Sequence, residues 1–225
     1  EEDLKVLLLQ VTKSLAPIAG FEKSADEQTW EFMDVIGAAD DVAIQNFLLL
    51  ADNGDALVLD RWPGSKNHNW GSQHTDRYAW GQVVGFDNAP DAFLECATAQ
   101  VKLGPLYSPQ LSIAALRLDG ETLLFNSLSR ALRANADYRP FQWTLQTGNG
   151  DTRLNISMAT MADRVAALTY YNPPGGNKIC LNSKLAGVTA TLSRRGQPER
   201  MLHSAHGGAF DILTDRLPAG MALQV

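Results

Sequence analysis

Short apolar stretches that alternate with period two, separated by turn-forming residues, run from about residue 46 to the end of the chain. Successive side chains of a strand point to opposite faces, so this alternation predicts β-strands with one buried face. Asn53-Gly54 lies between two such stretches and tolerates the positive φ angles of a tight hairpin turn. Other turn formers are Asn149-Gly150, Pro173-Pro174-Gly175-Gly176, Gly196-Gln197-Pro198 and Gly207-Gly208. Many short strands joined in this way, without interleaved helices, predict a mainly β fold, an antiparallel barrel or sandwich.

The first 45 residues follow a helical pattern instead. Apolar residues recur along one helix face at Leu4, Leu7, Leu8, Val11 and Leu15, and Pro17 and Gly20 end the run. Ser24-Ala25-Asp26-Glu27 fits a capping box, in which the serine and the glutamate satisfy free backbone donors at a helix start. The sequence therefore predicts a helical segment over 1–45 and a β domain over 46–225. Strands are predicted at 47–51, 56–60, 77–87, 92–102, 110–118, 121–127, 141–147, 152–161, 163–171, 179–193, 199–205 and 208–214, with a helical turn over 127–136.

Composition and charge narrow the function classes. The chain has 225 residues, 45% hydrophobic and 20% charged, which is typical of a globular protein with a substantial core. A net charge of -6 without any long Lys/Arg cluster argues against nucleic acid as a partner. No apolar run has the length of a membrane-spanning helix, and the acidic start is wrong for a signal peptide, although one could have been removed. A soluble protein, with the cytoplasm favoured, is expected. The two cysteines, Cys96 and Cys180, are expected to be buried free thiols in strands.

Polar and aromatic residues concentrate between residues 65 and 82, where a loop precedes a strand. His68 stands between Asn67 and Asn69, whose amides could fix its tautomer, and a histidine there suits proton transfer near physiological pH. The alternative is a rigid turn in which Trp70 plugs one end of a barrel. Asn69 and Trp70 are candidate ligand contacts in the first interpretation.

The strand predicted over 77–87 has one aromatic face and one nearly bare face. Its even positions are Tyr78, Trp80, Gln82, Val84 and Phe86, and its odd positions are alanine, glycine and valine. One interpretation is a ligand cavity lined by Tyr78, Trp80 and Phe86 with Gln82 as its polar group. The other is that the aromatic face is core and the small residues allow the strand to coil.

Glu95 is the candidate catalytic acid. It would share a strand face with Phe93, Ala97, Ala99 and Val101 and be the one charge on an apolar stripe. Burial without a cation raises the pKa of a carboxyl group, so Glu95 could donate a proton near neutral pH. It could instead pair with Arg77 on the neighbouring strand, or lie on an outward, solvated face.

The remaining polar candidates are weaker. Asn182 and Lys184 share a strand face with Cys180, and Lys184 could hold a ligand carbonyl or pair with Asp211. His203 and His206 would point to opposite strand faces, so no metal site is predicted. The sequence has no Gly-rich phosphate loop, Gly-x-Ser-x-Gly motif or Cys-x-x-Cys motif, so no cofactor is expected.

Several short motifs, in order along the chain, resemble the tocopherol cyclase-like group. They are Asn69-Trp70-Gly71 followed by Trp80 and Gln82, Asn172-Pro173-Pro174-Gly175-Gly176, Cys180-Leu181-Asn182-Ser183-Lys184 and Phe210-Asp211-Ile212-Leu213-Thr214-Asp215. This group is related to carotenoid hydratases and lipocalin-like Diels–Alder cyclases, in a calycin-type superfamily usually built from two successive barrels. The resemblance covers roughly residues 60 to 215 and implies an antiparallel lipocalin-like β-barrel corresponding to the carboxy-terminal half.

The resemblance also implies a ligand and a reaction class. The ligand would be a hydrophobic terpenoid, polyene or polyketide-like molecule, and the reaction a cofactor-independent cyclisation, isomerisation or hydration. Glu95 or His68 would supply the proton, and Trp80, Tyr78 or Tyr170 would stabilise developing positive charge. A non-catalytic lipid or pigment carrier would need the same cavity, so the two remain alternatives. An interaction module, with the first 40 residues covering a partner or a second copy in a homodimer, is a third.

Overall fold

The computed structural model describes residues 41–44, 47–50, 56–59, 62–65, 75, 77–100, 102–103, 105–171 and 176–224. The strands in these ranges are β1 (Asp41–Ile44), β2 (Phe47–Leu50), β3 (Ala56–Leu59), β4 (Trp62–Ser65), β5 (Arg77–Phe86), β6 (Ala89–Gln100), β7 (Lys102–Leu103), β8 (Leu106–Tyr107), β9 (Leu111–Leu118), β10 (Glu121–Phe125), β11 (Asn135–Arg139), β12 (Gln142–Asn149), β13 (Thr152–Ala159), β14 (Ala166–Tyr171), β15 (Asn177–Arg194) and β16 (Arg200–Thr214). The helical elements are α1 (Leu128–Ala131) and a 3-10 turn (Ala162–Arg164). The predicted mainly β fold is confirmed.

The amino-terminal predictions are tested only in part. The helices predicted before residue 41, and with them the domain boundary at residue 45, lie outside the described residues. At the end of that segment Asp41–Ile44 is a strand paired with β4, so the helical prediction is wrong there. The predicted hairpin around Asn53-Gly54 is confirmed in its strands, because β2 and β3 pair with Phe47 opposite Leu59.

Ten of the described strands form one antiparallel sheet in the order β10-β9-β6-β5-β16-β15-β13-β12-β11, with β14 also paired to β15. Most neighbours in this order are close in sequence and joined by short turns. The neighbours furthest apart in sequence are β5 and β16, in which Trp80 stands opposite Asp211. The last strand therefore joins two halves of the sheet that are otherwise locally connected.

Alternation along the strands builds the main core on one face of the sheet. In β12, Trp143 and Leu145 are buried while Gln142, Thr144 and Gln146 are exposed, as period two requires. The largest fully buried side chains are Phe86, Leu94, Leu116, Phe125, Trp143, Leu145, Leu154, Met158, Leu181, Leu202, Phe210 and Ile212. These side chains come from strands across the whole sheet, which is why the sheet curls around them.

Contacts between distant strands show how far the sheet curls. β12 approaches both β9 and β10, although the three strands are well separated in the sheet order. Arg194 at the end of β15 lies 2.7 Å from Glu121 of β10, and Arg200 of β16 lies 3.0 Å from Asp119 in the β9–β10 turn. The antiparallel sheet is thus barrel-like, as predicted.

Two glycines of β5 determine how aromatic side chains pack around this strand. Gly81 lies on the core face, where a Cβ would overlap the Met158 sulfur and lie 3.0 Å from the Trp143 ring. Gly85 has a φ of +80° at a register shift between Val84 and Phe86, which is a β-bulge. Because the bulge re-aims the strand, Phe86 joins the main core with Ala79 and Val83. The prediction that Phe86 shares a face with Tyr78 and Trp80 is wrong.

Two further differences concern element boundaries. The helical turn predicted over 127–136 is the short helix α1, and Asn135–Arg139 is the edge strand β11. The strands predicted at 199–205 and 208–214 are one continuous strand, β16. The pairing of β15 with β16 shifts register at this position, between Ser183 and Val188, and β16 continues through the shift.

Candidate functional site

The face of the sheet opposite the main core, which we call the second face, carries most of the predicted site residues. Partners in an antiparallel pair point to the same side, and the register places Trp80 opposite Ala97 and Asp211, Gln82 opposite Glu95, and Asn182 opposite Asp211. Cys180 and Tyr170 follow at the same parity on β15 and β14. The core face of β5 holds the bare residues Ala79, Gly81 and Val83. Of the predicted aromatic lining, Tyr78 and Trp80 therefore lie outside the main core, whereas Phe86 belongs to it.

Glu95 is a buried carboxylate on the second face. Its residue is 1% exposed, and the indole Nε1 of Trp80 donates a hydrogen bond to its Oε1 at 3.0 Å. Phe93 lies on the same face of β6, and Ala115 of β9 stands directly opposite. Of the predicted apolar stripe, Phe93 and Ala99 are buried, and the solvated alternative for Glu95 is wrong.

The alternative pairing of Glu95 with Arg77 is also wrong. Arg77 stands opposite Gln100, five residues further along β6 than Glu95, and at odd parity on β5 it points away from the second face. Its guanidinium lies 4.0 Å from the centre of the Tyr107 ring.

Lys184, Asp211 and Asn182 form a charged group beside Trp80. Lys184 Nζ lies 3.5 Å from Asp211 Oδ1, which confirms the predicted pairing, and 5.7 Å from the centre of the Trp80 ring. Asn182 Nδ2 donates to Asp211 Oδ1 at 2.5 Å. Burial raises the pKa of Asp211, and the opposing effects of Lys184 and Asn182 do not cancel that rise.

Tyr78, Cys180 and Tyr170 continue the polar groups along the second face. The Cys180 thiol is hydrogen-bonded with both phenols, and burial, with Asp211 adding to it, raises the pKa of Cys180 from 9.0 to about 12. Burial is also the main cause that raises the pKa of Tyr78 and of Tyr170. All three groups are therefore neutral at pH 7, and Cys180 is a poor nucleophile because it is held as a thiol.

We call this continuous set of side chains the polar row; it comprises Glu95, Trp80, Lys184, Asp211, Asn182, Tyr170, Cys180 and Tyr78. It combines one deeply buried carboxyl, a second carboxyl with a raised pKa, neutral phenol and thiol groups, and a cation at the solvent edge. Tyr78, Trp80 and Tyr170 are partly exposed, so their rings can contact a bound molecule. Groups of this kind can donate protons and hydrogen bonds to an apolar ligand.

The other predicted site residues fall into different places. Gln82 is buried on the second face opposite Glu95, and Tyr170 and Asn182 belong to the polar row. His68, Asn69 and Trp70 lie outside the described residues, so their predicted roles stay predictions. Asp211 and Cys180 were not predicted as site residues. The sequence does contain indications of both. Cys180 lies two positions before Asn182 and therefore on the same strand face, and Asp211 is the one acidic residue in an apolar stretch of β16.

The described histidines lie apart from the polar row. His206 Nδ1 is 3.2 Å from Arg164 Nη1, and His203 Nε2 is 3.9 Å from Asp87 Oδ2. Within the described ranges, no three His, Cys, Asp or Glu side chains are placed to hold a metal ion. The same ranges contain no helix with the length and apolar character needed to cross a lipid bilayer.

Comparison with known proteins gives distant relatives. No protein-family model matches the chain. Two uncharacterized proteins of Mycobacterium tuberculosis, from strains CDC 1551 and H37Rv, are each 26% identical over 138 residues, which is 61% of this chain. The matched region covers 41% of each relative's length. The crystal structure of kievitone hydratase from Nectria haematococca aligns with a TM-score of 0.39 and 12% identity, covering 74% of this chain and 48% of that chain.

Proposed function

We propose that the second face binds a hydrophobic small molecule and that Glu95 protonates it in a cofactor-independent reaction. The observation that carries the proposal is a carboxyl that is 1% exposed, lies beside Phe93 and Ala115, and accepts a hydrogen bond from the Trp80 indole. A carboxyl removed from water favours its neutral form, which is the form that can donate a proton. The ligand class is a terpenoid, polyene or polyketide-like molecule with an alkene or carbonyl group.

The reaction follows from where the proton goes. Transfer from the Glu95 carboxyl to an alkene carbon leaves a carbocation on the ligand and a carboxylate on the protein. Return of a proton from a neighbouring carbon to that carboxylate gives an isomerised alkene. Attack on the cation by a second alkene of the same molecule, followed by the same proton return, gives a ring. Addition of water and loss of a proton from its oxygen gives an alcohol.

The surroundings of Glu95 suit a cationic intermediate. Lys184 Nζ lies 5.7 Å from the centre of the Trp80 ring, so that ring can stabilise a ligand cation once Lys184 turns away. The rings of Tyr78 and Tyr170 lie further along the same face, and each such contact stabilises a cation by up to about 2 kcal/mol in a dry site. The Lys184 side chain is 61% exposed, so its ammonium group can turn to a carbonyl or hydroxyl of the bound molecule.

Binding is tested first, with all-trans-retinol and β-ionone as probes. We expect saturable quenching of tryptophan fluorescence by at least one probe, reduced in Trp80→Phe because the nearest reporter is lost. Absence of saturable binding by both probes, or identical quenching in Trp80→Phe, contradicts binding at this face.

Chemistry is tested with the bound probe in deuterated water. Proton donation to carbon is expected to place deuterium on carbon, detected by mass spectrometry, and Glu95→Gln is expected to lower the rate at least 100-fold. Glu199→Gln, at an exposed carboxyl that hydrogen-bonds Ser193, is the matched control and keeps the full rate. Unaltered probe in the wild type supports the carrier alternative. A loss in His68→Ala without a loss in Glu95→Gln makes His68 the acid.

A further inference from the structure

A pocket lies away from the polar row, where β13 and the 3-10 turn meet β15 and β16. Its volume is about 200 Å³, and its walls include Ala159, Met161, Arg164, Gly187 and Ala205. The pocket forms where the β15–β16 pairing is interrupted between Ser183 and Val188. Bulges often lie next to binding sites, because they re-aim side chains and open the sheet.

The pocket combines apolar walls with one cation. Met161 is 54% exposed and Leu185, which also lines the pocket, is 51% exposed, so two large apolar side chains face solvent at its rim. Arg164 Nη1 lies 3.2 Å from His206 Nδ1, and none of the ion pairs among the described residues includes Arg164. A guanidinium has donors left over after a single bond of this kind.

We propose that this pocket binds the carboxylate end of a short amphipathic molecule. The carboxylate would accept hydrogen bonds from Arg164, and the apolar tail would cover Met161 and Leu185. Charge complementarity selects the head group, because arginine binds carboxylates through two parallel donors. The volume is below the 300 to 1,000 Å³ typical of drug-sized ligands, which limits the occupant to a short chain.

Gly187 provides a way to fill the pocket without disturbing the fold. A Cβ built there would lie 3.5 Å from the Ala205 carbonyl oxygen and 3.7 Å from that of Ala159, which are ordinary contact distances. Both of these neighbours line the pocket. Gly187→Ala therefore adds one methyl group among the lining residues while the backbone stays in place.

The test uses octanoate as the probe, with acetate and octan-1-ol as its separate head and tail. Titrations of the full chain are followed by amide NMR shifts of Gly187 and Ala205. We expect octanoate to bind saturably, at least tenfold more tightly than either acetate or octan-1-ol. Arg164→Gln is expected to weaken octanoate at least tenfold, whereas Arg153→Gln, an exposed arginine on β13 outside the pocket, changes it less than twofold.

The Gly187→Ala variant separates the tail from the head group. It is expected to weaken octanoate severalfold and to leave the weak acetate response unchanged. Equal affinity for octan-1-ol and octanoate, wild-type affinity in Arg164→Gln, or shifts confined to residues outside the pocket overturns the proposal. None of these outcomes depends on the polar row, so the pocket and the proposed reaction are tested separately.

Discussion

The indole nitrogen of Trp80 donates a 3.0 Å hydrogen bond to the carboxyl oxygen of Glu95 on the adjacent strand. The bond connects the aromatic surface of the second face to its most buried acid. It also fixes the orientation of the Trp80 ring, against which Lys184 lies on the same face. One hydrogen bond between β5 and β6 thus connects the proposed acid, Glu95, to the proposed ligand contact, Trp80.

Replacing Trp80 with phenylalanine tests the energetic weight of this contact. An aromatic ring is kept, but the larger indole and its N–H donor are lost beside a buried carboxyl, so we expect a loss of about 1–3 kcal/mol in the free energy of unfolding. Urea denaturation at pH 7 measures the effect. The double variant with Glu95→Gln should show coupling between the two sites. Strictly additive effects would mean that the bond contributes nothing specific.

The Asp211 carboxyl should respond to removal of its neighbouring cation. Lys184 lowers the pKa of Asp211 against the rise caused by burial, so Lys184→Gln is expected to move that pKa further upward. Carbon-13 NMR of the side-chain carboxyl gives the titration directly. Lys178→Gln is the matched control, because Lys178 pairs with Asp215 instead. The Lys184 side chain is 61% exposed, so the change in unfolding free energy should stay below about 1 kcal/mol.

Alkaline pH is expected to weaken the fold through the buried thiol and phenols. Burial raises the pKa of Cys180 from 9.0 to about 12, so between these values the unfolded chain has lost a proton that the native protein keeps. Stability must then fall as pH rises from 9, by up to about 1.4 kcal/mol per pH unit for each such group. Tyr78 acts in the same direction above its ordinary pKa of 10.0. Urea denaturation at pH 8, 9 and 10 should show a smaller slope in Cys180→Ala, and equal slopes would contradict the assignment.

Two glycines on neighbouring strands should respond oppositely to alanine. At Gly208 a Cβ would lie 2.8 Å from the Ala186 carbonyl oxygen and 2.5 Å from Val188 Cγ2, so Gly208→Ala is expected to cost about 1–3 kcal/mol. At Gly187 the nearest atom would be 3.5 Å away, so Gly187→Ala should stay within about 0.5 kcal/mol. Thermal and urea denaturation of both variants compare them. Similar losses of unfolding free energy at the two positions would show that steric overlap of the added Cβ does not determine the change in stability.

Local patterns predicted the strands and part of the site. The apolar neighbours of Glu95 follow from alternation within one strand, and the pairing of Lys184 with Asp211 joins strands that are adjacent along the chain. Both features depend on sequence-local geometry, which period two specifies directly.

Other parts of the site could not be predicted, because they depend on events outside a single strand. The bulge at Gly85 reverses the face of Phe86, and alternation alone cannot locate a bulge. Tyr78 contacts Cys180 only because β16 lies between β5 and β15, a long-range arrangement. The deep burial of Glu95 could not be predicted for the same reason. Alternation along a strand shows which side chains share a face, but not which face of the sheet is covered.

The position of β16 has a consequence for biosynthesis. This strand, Arg200–Thr214, is the last in the sheet and the one that joins its two halves. A chain emerging from the ribosome can form each half by local hairpins, but Trp80 meets Asp211 only after β16 has been translated. The second face is therefore incomplete until β16 has been made, and nascent chains stalled before Arg200 would carry Glu95 and Trp80 without Asp211.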